Sequence, residues 1–487
     1  MTAEATVLLI VLPLFGAFLL PTIGRINASA AHWSGALLLA LLPLLAIELW
    51  NLHSAGALPP LALGGYLAPL GIVLYPDRLS LTLVLALTLG SLLLWPRLHQ
   101  NDATGRQATL MLLLVAGGNG LALAGDLFNA FVFYELVAVT SYALAAKLGS
   151  GDGYAAALRF LILSALGSAL GLLGIALIYT LTGTLNFAHL AQHAAAFNSP
   201  LGITAFVLMV LGFGVKAELF PVNSWVPEVY GATSHRIAGL LAGIVSKLAL
   251  LLLLRLITLL YSDVEVAGWL LFTLGLLGLI SGELAAWRAT DLRHTLAYSS
   301  IGQLGVMVMA LSLPGESGMV ALLALALHHL VVKPGLFLFS DGWHGTSLAG
   351  AARRGPWGGV LFLLFALSLI GVPPLPGFWA KLLFIREALA AGGPWLLAIA
   401  IILTATVLET AYLFRFLRRA YSRHGSAGYG AIGPDAALRA SAFGATLVVG
   451  LLLLNPLTEL LQQTAAEIID TPSYIARVLD VPVEVTP

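Results

Sequence analysis

MVLGFGVKAELFPVNSWVPEVYGATSHRIAGLLAGIVSKLALLLLLR, residues 209–255, is the stretch on which the fold turns. An apolar helix runs into Lys216, breaks at Pro221 and passes through a polar-aromatic turn holding Asn223, Trp225 and Pro227. A second apolar helix starts near Ile237 and carries Lys247 in its interior. Proline lacks a backbone donor and clashes with the preceding turn, so Pro221 and Pro227 predict a kinked or unwound segment. Unwound backbone at membrane depth survives only where protein or a water-filled cavity surrounds it. A lysine in mid-membrane costs about 2.5–3.5 kcal/mol on insertion scales. Two of them beside a broken helix point to the movement of ions.

Working outward, composition fixes the class. Of 487 residues 59% are hydrophobic and only 9% charged, and the mean hydropathy is +0.97. Apolar runs long enough to span a bilayer recur along nearly the whole chain, which makes it an all-α polytopic membrane protein. A formal net charge of zero gives no sign of a nucleic-acid or acidic partner. With no cysteine the chain makes no disulfide, no iron–sulfur ligation and no c-type haem attachment. The start, MTAEATVLLIVLPLFGAFLLP, lacks a basic n-region and reads as a retained first helix.

Fourteen spans are predicted, at about 5–22, 33–51, 79–96, 108–125, 127–147, 155–182, 202–220 (continuing broken to 234), 237–261, 266–287, 294–313, 318–341, 357–390 (broken), 394–417 and 438–461. Residues 57–76, rich in Pro and Gly, read as a connecting loop with a hydrophobic surface. The charges agree with this count. Loops after odd-numbered spans receive fifteen Arg and Lys, from Arg25 to Arg439, whereas the opposite side receives only Arg78, Arg255, Arg386 and Arg477. The positive-inside rule then places both termini on the non-cytoplasmic side.

Four basic residues remain, Lys216, Lys247, Lys333 and Lys381, all inside predicted spans. Lys147, at a helix end, reads as an ordinary solvated cation. Desolvation draws a lysine pKa down toward neutrality and a nearby carboxylate draws it back up, so a moving carboxylate loads or releases a proton. Glu135, in the middle of the fifth span, is the carboxylate nominated for Lys216. Glu48 and Glu283 lie near span ends and read as interfacial. Glu409 and Glu218 are secondary candidates; Glu218 is two residues from Lys216, and only the helix break brings it back to the same face.

The second half repeats the pattern. GVPPLPGFWAKLLFIREAL (371–389) sets Pro373, Pro374 and Pro376 before Lys381 in a broken span. Span eleven holds His328, His329 and Lys333; His329 and Lys333 are four residues apart and share a helix face suited to a proton relay. Spans 4–8 and 9–13 thus form two five-helix units, each with a broken helix fourth, and the odd number inverts the second against the first. The expected organisation is 1–107 for helices 1–3, 108–261 for the first inverted repeat, 262–420 for the second and 421–487 for helix 14 and the tail. His189 and His193 have metal-compatible spacing but read as part of a plain loop helix. No nucleophile motif, phosphate loop or dinucleotide fingerprint appears, so no cofactor or metal is expected.

VKAELFPVNSWVPEVY followed by LLAGIVSKLALLLLLR resembles the signature region of the antiporter-like subunits of respiratory complex I, a superfamily that includes Mrp-type cation/proton antiporters and membrane-bound hydrogenases. DLRHTLAYSSIGQLGVM (291–307), HLVVKPGLFLF and GVPPLPGFWAK resemble further motifs of that family, in order, over about residues 75–420. The ending ELLQQTAAEIIDTPSYIARVL and the length resemble the Mrp D subunit. The resemblance implies an ion pair of Glu135 with Lys216, a bridging Lys247, a central relay of His329 and Lys333, and a terminal proton site at Lys381. One stretch departs from the family pattern: after the first broken helix this chain reads GATSHRIAG, with His235 and Arg236.

The implied function is proton translocation within a multisubunit sodium/proton antiporter in the bacterial inner membrane, beside other membrane subunits that carry any sodium. Alternatives are a proton-pumping subunit of a redox-driven complex, the membrane partner of an inorganic-carbon uptake system and, from another class, a structural subunit with a non-conducting path. The chain itself is not expected to be an enzyme.

Overall fold

The computed structural model describes residues 3–97, 105–146, 150–343, 345–423 and 432–479. Lys147 lies outside them. The chain is helical almost throughout. Helices α1 (Ala5–Ile26) and α2 (Ala28–Ser54) lead to α3 (Arg78–Leu93), α4 (Arg106–Leu123), α5 (Leu127–Ala145) and α6 (Gly151–Thr182). After the short α7 (Phe187–Gln192) come α8 (Pro200–Gly214), α9 (Trp225–Ala232), α10 (His235–Leu240) and α11 (Ser246–Leu259). The second half holds α12 (Glu265–Arg288), α13 (Leu292–Leu311), α14 (Gly315–Phe337), α15 (Ala351–Arg354), α16 (Pro356–Ile370), α17 (Pro376–Ala391) and α18 (Trp395–Ala420). Helices α19 (Pro434–Leu452), α20 (Leu454–Ile469) and α21 (Thr471–Leu479) close the chain. Among the described residues nine helical stretches are long and apolar enough to cross a membrane, and α3, α8 and α16 are shorter apolar helices. The protein is a multi-pass membrane protein.

Continuous with one another through a π turn at Leu241–Val245, α10 and α11 form the axis of the fold. Their most apolar window is 100% buried, as expected of a helix that is hydrophobic on every side. Around them, helix pairs approach through small residues. A Cβ added at Gly212 in α8 would meet the Gly167 carbonyl of α6 at 2.5 Å, and one at Gly305 in α13 would meet the Gly275 carbonyl of α12 at 2.5 Å. Without a hydrophobic force between helices in lipid, this backbone contact supplies the packing energy.

Three expectations need correction. The 57–76 loop contains a two-stranded antiparallel hairpin, β1 (Leu61–Leu63) with β2 (Ile72–Leu74), because its apolar residues pair across Gly64 and Gly65, both at positive φ. The last predicted span, 438–461, stops at Leu452 and resumes as the separate helix α20. Pro456, in the first turn of α20, cannot continue the preceding hydrogen-bond ladder and biases Asn455 away from a mid-helix conformation. Arg255, assigned above to a loop, is buried in α11 against Asp77.

The terminal helices fold back onto the body. Tyr474 of α21 packs edge-on against Tyr75 at 4.6 Å between ring centroids, and Arg255 lies over both rings. Glu467 of α20 pairs with His53 at 3.0 Å, Arg78 at 3.3 Å and Arg477 at 3.4 Å. Burial alone would raise the Glu467 carboxyl, but its hydrogen bond to His53 and the charges of His53, Arg78 and Arg477 outweigh this and hold it below the usual glutamate range. A depressed folded pKa stabilises above the unfolded value, and the stabilisation is lost as pH falls through the folded one. Hydrogen exchange of residues 454–479 is therefore expected to rise selectively below about pH 4.3, the ordinary glutamate value. Glu467→Gln should show the raised exchange already at neutral pH; unchanged exchange in that variant would refute the clasp.

Candidate functional site

The first broken helix is held open by side chains. Past Gly214 the backbone leaves the α ladder, and Glu218 adopts a left-handed conformation with φ 56°. The Trp225 indole donates to the Val215 carbonyl at 2.9 Å, and the Asn223 amide donates to the Glu218 carbonyl at 3.3 Å. These bonds satisfy polar backbone that a membrane interior leaves without water. Asn223 and Trp225 thus hold the break at which the buried Lys216 and Glu218 sit.

Lys216 is buried, with its ammonium 3.7 Å from Glu135 Oε1 and 3.3 Å from the centre of the Tyr134 ring. Among the described residues its Nζ has no hydrogen-bond partner. Glu135 also accepts from the Ser168 hydroxyl. It is not the deeply buried carboxylate expected from its mid-span position: its side chain is 35% exposed, on a face of α5 shared with Phe128, Val132 and Val139.

Glu218 is fully enclosed, and its carboxylate accepts from Tyr230 at 2.7 Å. Ser246, Lys247 and Lys333 lie within electrostatic reach of it. The break has brought Glu218 round to the path, as its secondary candidacy required. Lys247 donates to the Ala242 carbonyl at 2.8 Å and to Ser246 at 3.1 Å, and contacts His329 Nδ1 directly. Ala242 lies within the π turn, five residues before Lys247, where a regular α-helix would commit its carbonyl to the Ser246 backbone amide.

In α14 the neighbouring histidines face different partners. His329 meets Lys247, whereas His328 Nε2 pairs with Ser368 of α16 at 2.9 Å, beside Gly377 at the second break. Lys333 donates to Ser299 at 2.8 Å and to the Leu296 carbonyl at 3.2 Å, both on α13. Glu409, Glu283 and Glu218 lie within electrostatic reach of it. At the second break α16 ends at Gly371, φ 89°, and α17 restarts at Pro376. Lys381 then reaches back to the Ile370 carbonyl at 3.0 Å and to Glu409 at 2.7 Å, while Gln303 donates to the other Glu409 oxygen at 3.0 Å.

Sequence reading misplaced Glu283. It is buried, not interfacial, and accepts from Tyr412 at 3.1 Å. It was findable: Glu283 continues the buried stripe of Gly275, Gly278, Leu279, Gly282 and Ala286 along α12, whereas distance from the helix end ignores which way the residue faces. His193 bonds the His189 carbonyl at 2.8 Å, and among the described residues no group of three His, Asp or Glu is placed to hold a metal. Pro227 lies inside α9, so of the broken-helix prolines only Pro221, Pro373 and Pro374 sit within the breaks, with Pro376 opening α17.

Residues 124–408 match the family described as NADH:quinone oxidoreductase/Mrp antiporter, transmembrane. The chain is 32% identical to the N subunit of NADH-quinone oxidoreductase from Desulforudis audaxviator, over 86% of its own length and 87% of that protein. It is also 32% identical to the D subunit of the Na(+)/H(+) antiporter from Alkalihalophilus pseudofirmus, over 67% and 69%. A chain of an archaeal membrane-bound sulfane sulfur reductase superposes with TM-score 0.89 at 30% identity, covering 98% of this chain and all of that one (100%). A chain of the Mrp complex from Dietzia sp. has the same fold, with TM-score 0.89 at 24% identity over 98% and 99%. Broken helices, buried lysines and match together make this chain a member of the NADH:quinone oxidoreductase/Mrp antiporter transmembrane family.

Proposed function

We propose that this chain is the proton-translocating subunit of a multisubunit cation/proton antiporter of the Mrp type, working beside other membrane subunits. The observation that carries the reading is a succession of ionisable groups: the Glu135–Lys216 and Lys381–Glu409 ion pairs, the contact of Lys247 with His329, and the buried Glu218, Lys333 and Glu283. Charged groups inside a membrane protein are expensive, and pairs in series are the arrangement that moves a proton by shifting one charge at a time. Lys216 Nζ, Glu218 Oε2, Glu283 Oε1 and His329 Nε2 are buried without a hydrogen-bond partner among the described residues. Each calls for bound water, which would complete the relay.

Fourteen spans, with 108–261 and 262–420 as two inverted units, fit the two breaks. The proposed orientation puts both termini outside the cytoplasm. The chain's own part is transport, with any redox or sodium chemistry in neighbouring subunits. A second reading, a pumping subunit of a redox-driven complex, is favoured by the longer match to the quinone oxidoreductase chain and by the sulfane sulfur reductase fold. Proton flux in liposomes holding the purified assembly, driven by a sodium gradient or by a quinone couple, separates the two. Flux under neither drive would leave the carbon-uptake and structural readings.

His329→Ala is expected to bring that flux to background while first-half infrared protonation signals and bound water near Lys216 persist. Lys333→Ala should behave likewise. Loss of the first-half signals in either variant would mean one undivided site.

A further inference from the structure

The GATSHRIAG turn carries an arginine that the proton path does not use. Arg236 opens α10 and is only 4% exposed. Its guanidinium bonds the Trp95 carbonyl just past α3 and the Asp435 carboxylate in the first turn of α19. Two more arginines meet the same carboxylate. Arg97 donates from Nε and Nη2 to Oδ2 at 3.3 and 3.1 Å. Arg439, one turn along α19, donates from Nε to Oδ1 at 2.9 Å and from Nη1 to the Leu93 carbonyl.

Part of this is structural: cations suit the exposed carbonyls at the C-terminus of α3 and tie α3, α10 and α19 together. That role needs fewer charges than are present. Among the described residues Asp435 is the only carboxylate ion-paired with the three arginines, which leaves two positive charges uncompensated. Each guanidinium also keeps one nitrogen free of these partners: Nη1 of Arg97, Nε of Arg236 and Nη2 of Arg439. The cluster opens outward, with the Arg97 side chain 51% exposed and Asp435 37%. Its flanks are those of a membrane interface. Trp357 is exposed and bonds Ser441, two residues beyond Arg439, at 2.8 Å; exposed Trp33 connects to Trp95 through the His32 ring.

We propose that Arg97, Arg236 and Arg439 bind the phosphate of an anionic phospholipid headgroup. Basic pockets between membrane helices recognise such headgroups, and planar guanidinium forks match phosphate oxygens in pairs. The lipid would supply the missing negative charge and fasten α19 to the helix that leads to Lys247. Only the leaflet, cytoplasmic, rests on the orientation proposed above; the readouts below involve no transport, so either proposal can fail alone.

The intact assembly is placed in nanodiscs of phosphatidylcholine with increasing phosphatidylglycerol, and thermal unfolding and lipid retention by native mass spectrometry are followed. Phosphatidylglycerol is expected to raise the unfolding midpoint and to stay bound. Arg97→Gln should lower its retention about fivefold, from the typical worth of one basic residue at an anionic surface, and remove most of the rise. Arg97→Lys should keep a large part, and Arg25→Gln, at the end of α1, should keep all of it. Three results would overturn the proposal: unchanged retention in Arg97→Gln, an equal loss of stability in phosphatidylcholine alone (a purely structural arginine), or reproduction of the rise by inorganic phosphate without the lipid (a soluble anion site).

Discussion

Lys381→Arg is expected to abolish proton flux while leaving the chain folded and assembled. Lys381 emerges from the second break with its Nζ 2.7 Å from Glu409 Oε2 and 3.0 Å from the Ile370 carbonyl. Arginine keeps the positive charge and both acceptors, so the pair survives. It does not survive as a switch, because a guanidinium does not lose its proton in a protein. Lys381→Ala is the harsher change. It leaves Glu409 buried without its cation, and removing one member of a buried pair costs about 3–5 kcal/mol. Some of that loss is recovered by protonation of Glu409, and Lys381→Met with Glu409→Gln should restore folding without flux. Reconstituted flux compared with assembly yield separates charge from titration. Wild-type flux in Lys381→Arg would sink the proposal that this lysine gives up its proton.

The breaks and the lysines were legible because each violates a local rule. A proline pair inside an apolar run and a cation in mid-span both need compensation, and the structure supplies it in the Trp225, Asn223 and Gly371 arrangements. What stayed hidden depends on direction and on distance along the chain. Depth within a span nominated Glu135 and dismissed Glu283, yet Glu135 is partly exposed and Glu283 is enclosed. Depth along a helix says nothing about facing, which only the packing of α12 against α13 and α18 decides. The contact of Lys247 with His329 spans 82 positions, and nothing local encodes it. The π turn before Lys247 is equally invisible, since LLAGIVSK reads as an ordinary apolar helix. At the chain end, Pro456 did carry a signal, but the apolar run across it masked the break.

Glu135→Ala is expected to reduce proton flux to background, because it removes the nearest charge that can hold Lys216 protonated. Lys216 has no hydrogen-bond acceptor of its own among the described residues; its stabilisers are Glu135 at 3.7 Å and the Tyr134 ring. The Tyr134 ring carries no net charge, so without the carboxylate no anion paired with Lys216 remains to load or release its proton. Glu135→Gln should therefore fail like the alanine variant, although it preserves the contact with Ser168, and Glu135→Asp should retain part of the flux. The effect on folding is expected to be small, on the order of 1 kcal/mol, because a third of the Glu135 side chain is exposed and Lys216 can escape by deprotonating. That asymmetry is the test: assembly yield near wild type with flux at the level of protein-free liposomes. Normal transport by membrane vesicles carrying Glu135→Ala would refute the ion-pair role and move the proton entry to Glu218.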